Sequence, residues 1–416
     1  MSVRRFFLDI SPLIESRAFR FAYFARAATV LVTGMLMVAA SVQLYELTKS
    51  SVAVAFLNVS MATPMVLALI AGGVLSDRMD RRSLMVWSRS VYIISVVLFL
   101  LNTLLPNPQV WLIYVAAAIG GAAGGISVPA MMSATPALVG RDKLAAAAAL
   151  SGLAMQLGGI IGPALAGVLI SGPGLIFCYV IVLCGVIVTP LLLRALPPLP
   201  PQAGKQPQKN AFQSLRDGLS FVASHSLLRA LLLIDLAALI LATPLALMPE
   251  WGDTILKMGA TATGYLYAAP AVGATLAALS SGWCRQVSRP GAAIVIAVLI
   301  WGLAVAALSL QATLWWALVC LAIMGAADTI SKIMRMALVQ HHTPDYLLGR
   351  VSSLWMTQYS LGQALGNMQM GYLSRLLSPA VAVAVGGLAC AAVAAGFGIL
   401  NQGLRSASKQ DGPPHA

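Results

Sequence analysis

The chain is predicted to be an all-α membrane protein whose 12 transmembrane helices form two six-helix parallel repeats, and three observations predict it. The first is composition. Hydrophobic residues make up 59% of the chain and charged residues only 9%, and the mean hydropathy is +0.86, well outside the range of soluble domains. The second is run length. A hydrocarbon core ~30 Å thick needs about 20 apolar residues at a 1.5 Å rise each, and twelve runs of that order can be counted. They are too long and too uniform for barrel strands, and lipid satisfies no backbone polar group, so helices are required. The third is an internal repeat. Thr135-Pro-Ala-Leu-Val-Gly-Arg141 returns as Thr343-Pro-Asp-Tyr-Leu-Leu-Gly-Arg350, 208 residues later, and Gly73 maps at the same offset, within one residue, onto Gly282. Two anchors at one offset indicate repeats related by an axis along the membrane normal.

In chain order the runs lie near 19–45, 52–76, 83–105, 110–133, 144–170 and 174–196, then 227–249, 261–283, 291–310, 313–337, 350–377 and 380–403. Residues 1–196 are thus expected to form an N-terminal six-helix bundle, 197–229 a cytoplasmic linker, 230–403 a C-terminal bundle and 404–416 a tail. The linker opens on Pro197-Pro198-Leu199-Pro200-Pro201 and turns polar up to Asn210, a stiff connection between domains. Within it, residues 211–229 put Phe212, Leu215, Leu219 and Val222 on one helical stripe, which reads either as an amphipathic surface helix or as an early start to the seventh span.

The net charge of +13 raises nucleic acid as a ligand, but its distribution excludes that class. With the N-terminus in the cytoplasm, nineteen Lys and Arg fall in cytoplasmic segments and three (Lys49, Lys257, Arg375) on the opposite face; Arg26, Arg89, Lys332 and Arg335 lie inside spans. This is the positive-inside bias, and it places both termini in the cytoplasm. The N-terminus lacks a signal-peptide pattern, so the first span is expected to be retained. All five cysteines lie in or at the ends of spans, with neither a disulfide framework nor zinc spacing.

Charge is densest at Gly73-Val74-Leu75-Ser76-Asp77-Arg78-Met79-Asp80-Arg81-Arg82, between the second and third runs. Its form, G-x-L-x-D-R-x-x-R-R, resembles the loop 2–3 signature of the major facilitator superfamily of secondary transporters. The resemblance implies a conformational latch. Asp77 would sit against the N-terminus of a neighbouring helix, naturally span eleven at Gly349-Arg350, where the macrodipole favours an anion by roughly 0.3–1 kcal/mol. Gly73 would permit close approach, and Arg78, Arg81 and Arg82 would order the turn or simply set topology. In the second repeat Gln286 stands where Asp77 maps, so the latch is one-sided. Span five carries Gly158, Gly162, Pro163 and Gly167 in the pattern G-x-x-x-G-P-x-x-x-G, similar to a second signature found chiefly in exporters. Small residues four apart let helix backbones touch, and proline bends the helix.

Ionisable groups inside spans are functional candidates by default. Asp235 in span seven and Asp328 in span ten are the carboxylates near the midplane. Asp328, Lys332 and Arg335 share one helical face at i, i+4 and i+7. They read either as a protonatable site, since burial disfavours a charged carboxylate, or as a charge pair that satisfies itself. Arg26 could meet an anionic substrate or snorkel to the surface, and Arg89 is expected to snorkel. Tyr265, Tyr267, Trp111, Trp315 and Trp316 read as interfacial anchors. His341 and His342 are expected to be solvated, with no third ligand for a metal, and no cofactor is implied. No G-x-x-x-x-G-K-[ST] phosphate loop occurs, so a gradient must drive any transport.

Longer stretches narrow the resemblance. Ala134–Leu144, Thr263–Ala269, Thr343–Arg350 and Leu354-Trp355, with the Pro-rich linker, are similar to the enterobactin (siderophore) exporter subfamily. That implies a secondary active exporter of a siderophore, driven by proton antiport, in the inner membrane of a Gram-negative bacterium. Its partners would be protons and the lipid bilayer, it would be monomeric, and it could hand its cargo to an outer-membrane efflux channel. The acid of span one and the arginine of span four known from many drug/proton antiporters are missing here: Ala116–Gly125 is built of small residues and one isoleucine. A broad drug or metabolite efflux transporter is the alternative. An enzyme is not expected, because no cluster of nucleophiles, acids or metal ligands lies at depth.

Overall fold

A computed structural model describes residues 9–200, 211–310 and 312–406. The polar stretch 201–210 of the linker and residues 407–416 of the tail lie outside the described residues. Every regular element among those described is helical. The long helices are α1 (Arg17–Thr48), α2 (Ser51–Arg78), α3 (Arg81–Leu104), α4 (Val110–Val139), α5 (Leu144–Ser171) and α6 (Leu175–Arg194). After the linker come α7 (Ser226–Leu241), α8 (Gly259–Leu279), α9 (Pro290–Ala307), α10 (Leu314–His342), α11 (Asp345–Leu376) and α12 (Pro379–Leu400).

Eleven of these, counting α7 with its continuation to Ile255, are long and apolar enough to cross a membrane. Helix α11 falls short because Gln358, Gln363, Asn367 and Gln369 interrupt its apolar surface. Two of these, Gln358 and Asn367, are buried, so the polarity points into the protein.

The chain forms two compact units. One comprises Met1–Gln43 with Ser60–Ala211, the other Leu44–Val59 with Phe212–Ala416. The turn between α1 and α2 therefore belongs with the C-terminal helices, although sequence order assigns it to the first repeat. In the first unit, α2 and α4 touch backbone to backbone: a Cβ on Gly121 would collide with the Met61 carbonyl oxygen, and one on Gly125 with that of Met65. The small residues of span four exist for this approach.

Span seven is broken, where an uninterrupted helix over 227–249 is the sequence expectation. Helix α7 stops at Leu241, three residues before Pro244, which has no N–H to donate to a continuing ladder. The chain resumes as short turns at Leu245–Leu247 and Met248–Glu250 and a π-turn at Trp251–Ile255. Freed backbone groups find side chains instead. The Trp301 indole donates to the Ala242 carbonyl at 2.8 Å, and the Ala246 N–H donates to Asn367 Oδ1 at 2.7 Å.

The segment before span seven is a separate helix, Ala211–Ser224, and His225 leaves helical geometry before α7 begins. Val222 is buried and Leu219 exposed, while the side chains of Phe212 and Leu215 lie outside the described residues. Asp217 of this surface helix pairs with Arg350 on α11 at 2.8 Å. His342 is buried, contrary to the solvated reading: its Nδ1 lies 2.9 Å from the Leu338 carbonyl, and its ring meets His225 edge to face at 5.8 Å. The last turn of α10 points it at the junction between surface helix and α7 instead of at water. Trp111 and Trp315 are exposed, whereas Trp316 donates to the Ala307 carbonyl at 2.7 Å.

Candidate functional site

The second unit places its intramembrane charges together. Asp235 on α7 meets Arg335 on α10 at 2.6 Å, with side chains 1% and 5% exposed. Arg335 also donates to the Ser331 hydroxyl at 3.2 Å, one turn away on the same helix. Three residues before Arg335, Lys332 contacts Asp328 Oδ2 at 2.6 Å. The Lys332 ammonium stands 4.0 Å from the centroid of the Tyr359 ring on α11, a cation–π distance. The Tyr359 hydroxyl accepts from the Gln363 amide at 2.8 Å. Helical spacing sets this order: Ser331 and Arg335, like Asp328 and Lys332, are one turn apart.

Each carboxylate has one oxygen short of a well-formed hydrogen bond, and the Gln358 side chain of α11 lies beside Asp235. Asp235 Oδ2 and Asp328 Oδ1 are buried without a hydrogen-bond partner among the described residues, as is the indole nitrogen of Trp355 on α11. Buried polar groups are ordinarily satisfied. Unused acceptors beside two cations are places where a proton or a substrate hydroxyl can bind. Sequence spacing pairs Asp328 with Lys332 but is silent on Arg335 reaching α7, because that pairing depends on how two helices pack.

The first unit holds cations instead. Arg26 is half-buried, with Nη2 3.2 Å from the sulfur of Met155 on α5. Arg89 lies 6.0 Å from the centroid of Tyr92, whose hydroxyl is 3.5 Å from Thr33 Oγ1. Neither arginine has a carboxylate partner among the described residues. Towards the other end of this unit Gln43 bridges helices: its amide donates to Thr103 at 2.9 Å and its carbonyl accepts from Tyr179 at 2.7 Å. No motif marks Gln43, and a lone polar residue in an apolar run is its only signal.

At the signature turn, Asp77 lies in the last turn of α2 and is exposed, and Gly73 has open space where a Cβ would go. Arg78 is exposed too. The neighbouring acid is the engaged one. Asp80 caps α3 by accepting the Ser83 N–H at 2.8 Å, and it accepts the Leu199 N–H of the Pro-rich linker at 2.6 Å. The Arg81 N–H returns a bond to the Leu199 carbonyl at 3.0 Å. Burial opposes the charge on Asp80, but hydrogen bonds from Ser83 and Leu199 and the nearby Arg82 hold its carboxyl below the ordinary carboxylate range. Arg81 is buried and donates to the Ser133 carbonyl on α4 at 3.2 Å. Arg82 donates to the Arg194 carbonyl, near the end of α6. These two arginines therefore tie the turn to two other helices.

The glycine pattern of span five faces α1. A Cβ on Gly162 would lie 2.5 Å from the Leu31 carbonyl oxygen, and one on Gly158 2.8 Å from a Val30 methyl. Reciprocally, a Cβ on Gly34 would meet the Pro163 ring at 2.9 Å. Gly167 is buried further along α5. No group of three or more metal-ligating side chains occurs among the described residues.

The family model described as transmembrane secretion effector, one of the MFS models, matches residues 9–415. The enterobactin exporter EntS of Shigella flexneri is 33% identical over 404 residues, covering 97% of this chain and 94% of the relative. The enterobactin exporter EntS of Escherichia coli O139:H28 is 32% identical over the same coverage. Among solved structures, the nucleoside transporter NupG superposes with a TM-score of 0.77 at 11% identity, covering 93% of this chain and 99% of that one. A POT family transporter in complex with 5-aminolevulinic acid gives 0.75 at 12% identity, covering 94% and 97%. At such identities the structures speak for the fold.

Proposed function

We infer that this chain, which belongs to the major facilitator superfamily of membrane transporters, is a secondary active exporter of a siderophore of the enterobactin class. The observation that carries the reading is the likeness to curated enterobactin exporters at 33% identity over 97% of the chain. Export proceeds by alternating access across the cytoplasmic membrane with both termini inside, and proton antiport drives it. Residues 1–196 and 230–403 act as the two moving bundles, and 197–229 joins them. The transporter works as a monomer on a small-molecule siderophore, in a lipid bilayer, and releases its cargo where an outer-membrane efflux channel can take it. No step is catalytic.

The charge cluster supports the coupling. Protonation of Asp235 or Asp328 disconnects it from Arg335 or Lys332, and re-forming the pair expels the proton. At Asp235–Arg335 a change in protonation thus alters whether α7 and α10 are held together, whereas Asp328–Lys332 lies within α10. Asp77 serves as the latch carboxylate, with Gly73, Arg78, Arg81 and Arg82 shaping its turn. Gly158, Gly162, Pro163 and Gly167 give α5 the close, bendable packing that an exporter rocks on. Arg26 offers a cation to an anionic cargo.

Iron-limited growth of a deletion strain tests the function: the spent medium should lose its siderophore, with the compound retained in the cells. Unchanged chelator outside, together with altered susceptibility to several lipophilic drugs, would replace this reading with broad drug efflux.

A further inference from the structure

The turn between α1 and α2 is fastened to the helices of its unit by one acid. Glu250, in the short helical turn after the break in span seven, accepts hydrogen bonds from Ser51 at the first residue of α2 and from Ser374 on α11, the latter at 3.1 Å, both on Oε2. Beside it, Lys49 pairs with Asp253 at 3.3 Å. Lys49 takes a left-handed conformation, φ 47°, to close α1, its N–H donating to the Tyr45 carbonyl at 2.7 Å. The backbones also come close: a Cβ on Gly371 would lie 3.0 Å from the Ser51 carbonyl and 3.2 Å from Ala55 Cβ. These contacts surround a cavity of about 390 Å³ lined by Lys49, Ser51, Glu250, Ser374 and Arg375 among others. The charged and titratable groups facing the acid are Lys49, Asp253 and Arg375, with Tyr45 and Glu46 on α1 close by.

We propose that Glu250 is the locking acid of the α1–α2 turn, a positioning residue whose charge holds Leu44–Val59 docked and whose neutralisation or loss releases that segment. Two features assign the role to Glu250. It bonds to both α2 and α11, whereas the Lys49–Asp253 pair is exposed on both sides and contributes little. A carboxylate acceptor also makes these hydroxyl bonds roughly twice as strong as a neutral acceptor would. Both bonds fall on one oxygen, so removing the carboxylate takes away both at once. The transport reading above supplies only the place of this release in the cycle, at the end of α2 opposite the signature turn. The clasp itself is a matter of distances.

The test uses the full chain in nanodiscs, in a background without its five native cysteines, with nitroxide labels at the exposed positions Leu47 and Leu377. Pulsed dipolar spectroscopy then reads the separation of the turn from the end of α11. Glu250→Ala should lengthen and broaden the distance distribution. Glu250→Gln, which keeps an acceptor without the charge, should give an intermediate result, and the mild change Ser51→Ala should shift it in the same direction. Glu250→Asp should restore the docked distance. If Glu250→Ala and Ser51→Ala both leave the distribution at its wild-type position, the clasp is wrong, whatever the protein exports. Siderophore release measured on the same variants reports separately on the export reading.

Discussion

Asp235 and Arg335 join α7 to α10 through a 2.6 Å contact that is almost entirely shut off from solvent. Removing both charges from such a pair often costs little, because desolvation offsets attraction, whereas removing one leaves an uncompensated buried ion. Asp235→Asn or Arg335→Gln alone should therefore destabilise the protein by roughly 3–5 kcal/mol. The double variant should recover much of that loss. Thermal unfolding in detergent measures stability, and export of the double variant separates coupling from folding: a stable protein that no longer exports would place the proton at this pair.

Asp77 and Asp80 lie within four residues and make different predictions. Asp77→Asn should abolish export while the protein remains in the membrane in normal amount. Near-normal export by that variant would remove the latch role.

Asp80→Ala should cost about 1 kcal/mol through its N-cap bond alone, and it should free the linker at Leu199. Limited proteolysis of the linker should speed up in the variant. The folded pKa of Asp80 is depressed, so its contribution is present above the ordinary carboxylate range and is lost as pH falls through the folded value. Acidification well below that range should make the wild-type linker as accessible as the variant's.

Gly162→Ala places a methyl 2.5 Å from the Leu31 carbonyl, which a backbone cannot yield cheaply. Overpacking of this kind costs about 1–3 kcal/mol. Gly152→Ala, where a Cβ meets open space, should be silent by the same unfolding assay.

His225 is depressed by burial and by its neighbour His342. A depressed base binds fewer protons folded than unfolded, so its junction is stable above the ordinary imidazole range and weakens as pH falls. Hydrogen exchange at residues 219–226 should rise on acidification, and His225→Phe should flatten that dependence.

Much of this is legible in the sequence because apolar run length and loop charge are one-dimensional signals. The helices α1 to α6 follow the apolar runs closely. The turn at 73–82 announces itself by charge, but spacing cannot say which acid is engaged. Asp80 is engaged because the prolines of the linker bring Leu199 back to it, across 119 residues of chain. Asp328 and Lys332 are visible at helical spacing, whereas Asp235–Arg335 is a property of packing. The break in span seven is marked only by Pro244, and proline alone is a poor guide here. Pro64, Pro129, Pro136, Pro163, Pro190 and Pro270 all sit inside long helices that continue past them. At Pro244, Trp301 and Asn367 decide, by offering the freed backbone somewhere to bond.

That break gives span seven a mechanical character its neighbours lack. A continuous helix transmits rotation and tilt along its whole length like a rod. Between Ala242 and Ala246 the ladder is replaced by bonds to two side chains, and side chains pivot about their own torsions. The stretch bearing Asp235 and the stretch bearing Glu250 are thus coupled through a swivel: each can turn by its own amount, with Trp301 and Asn367 acting as its bearings.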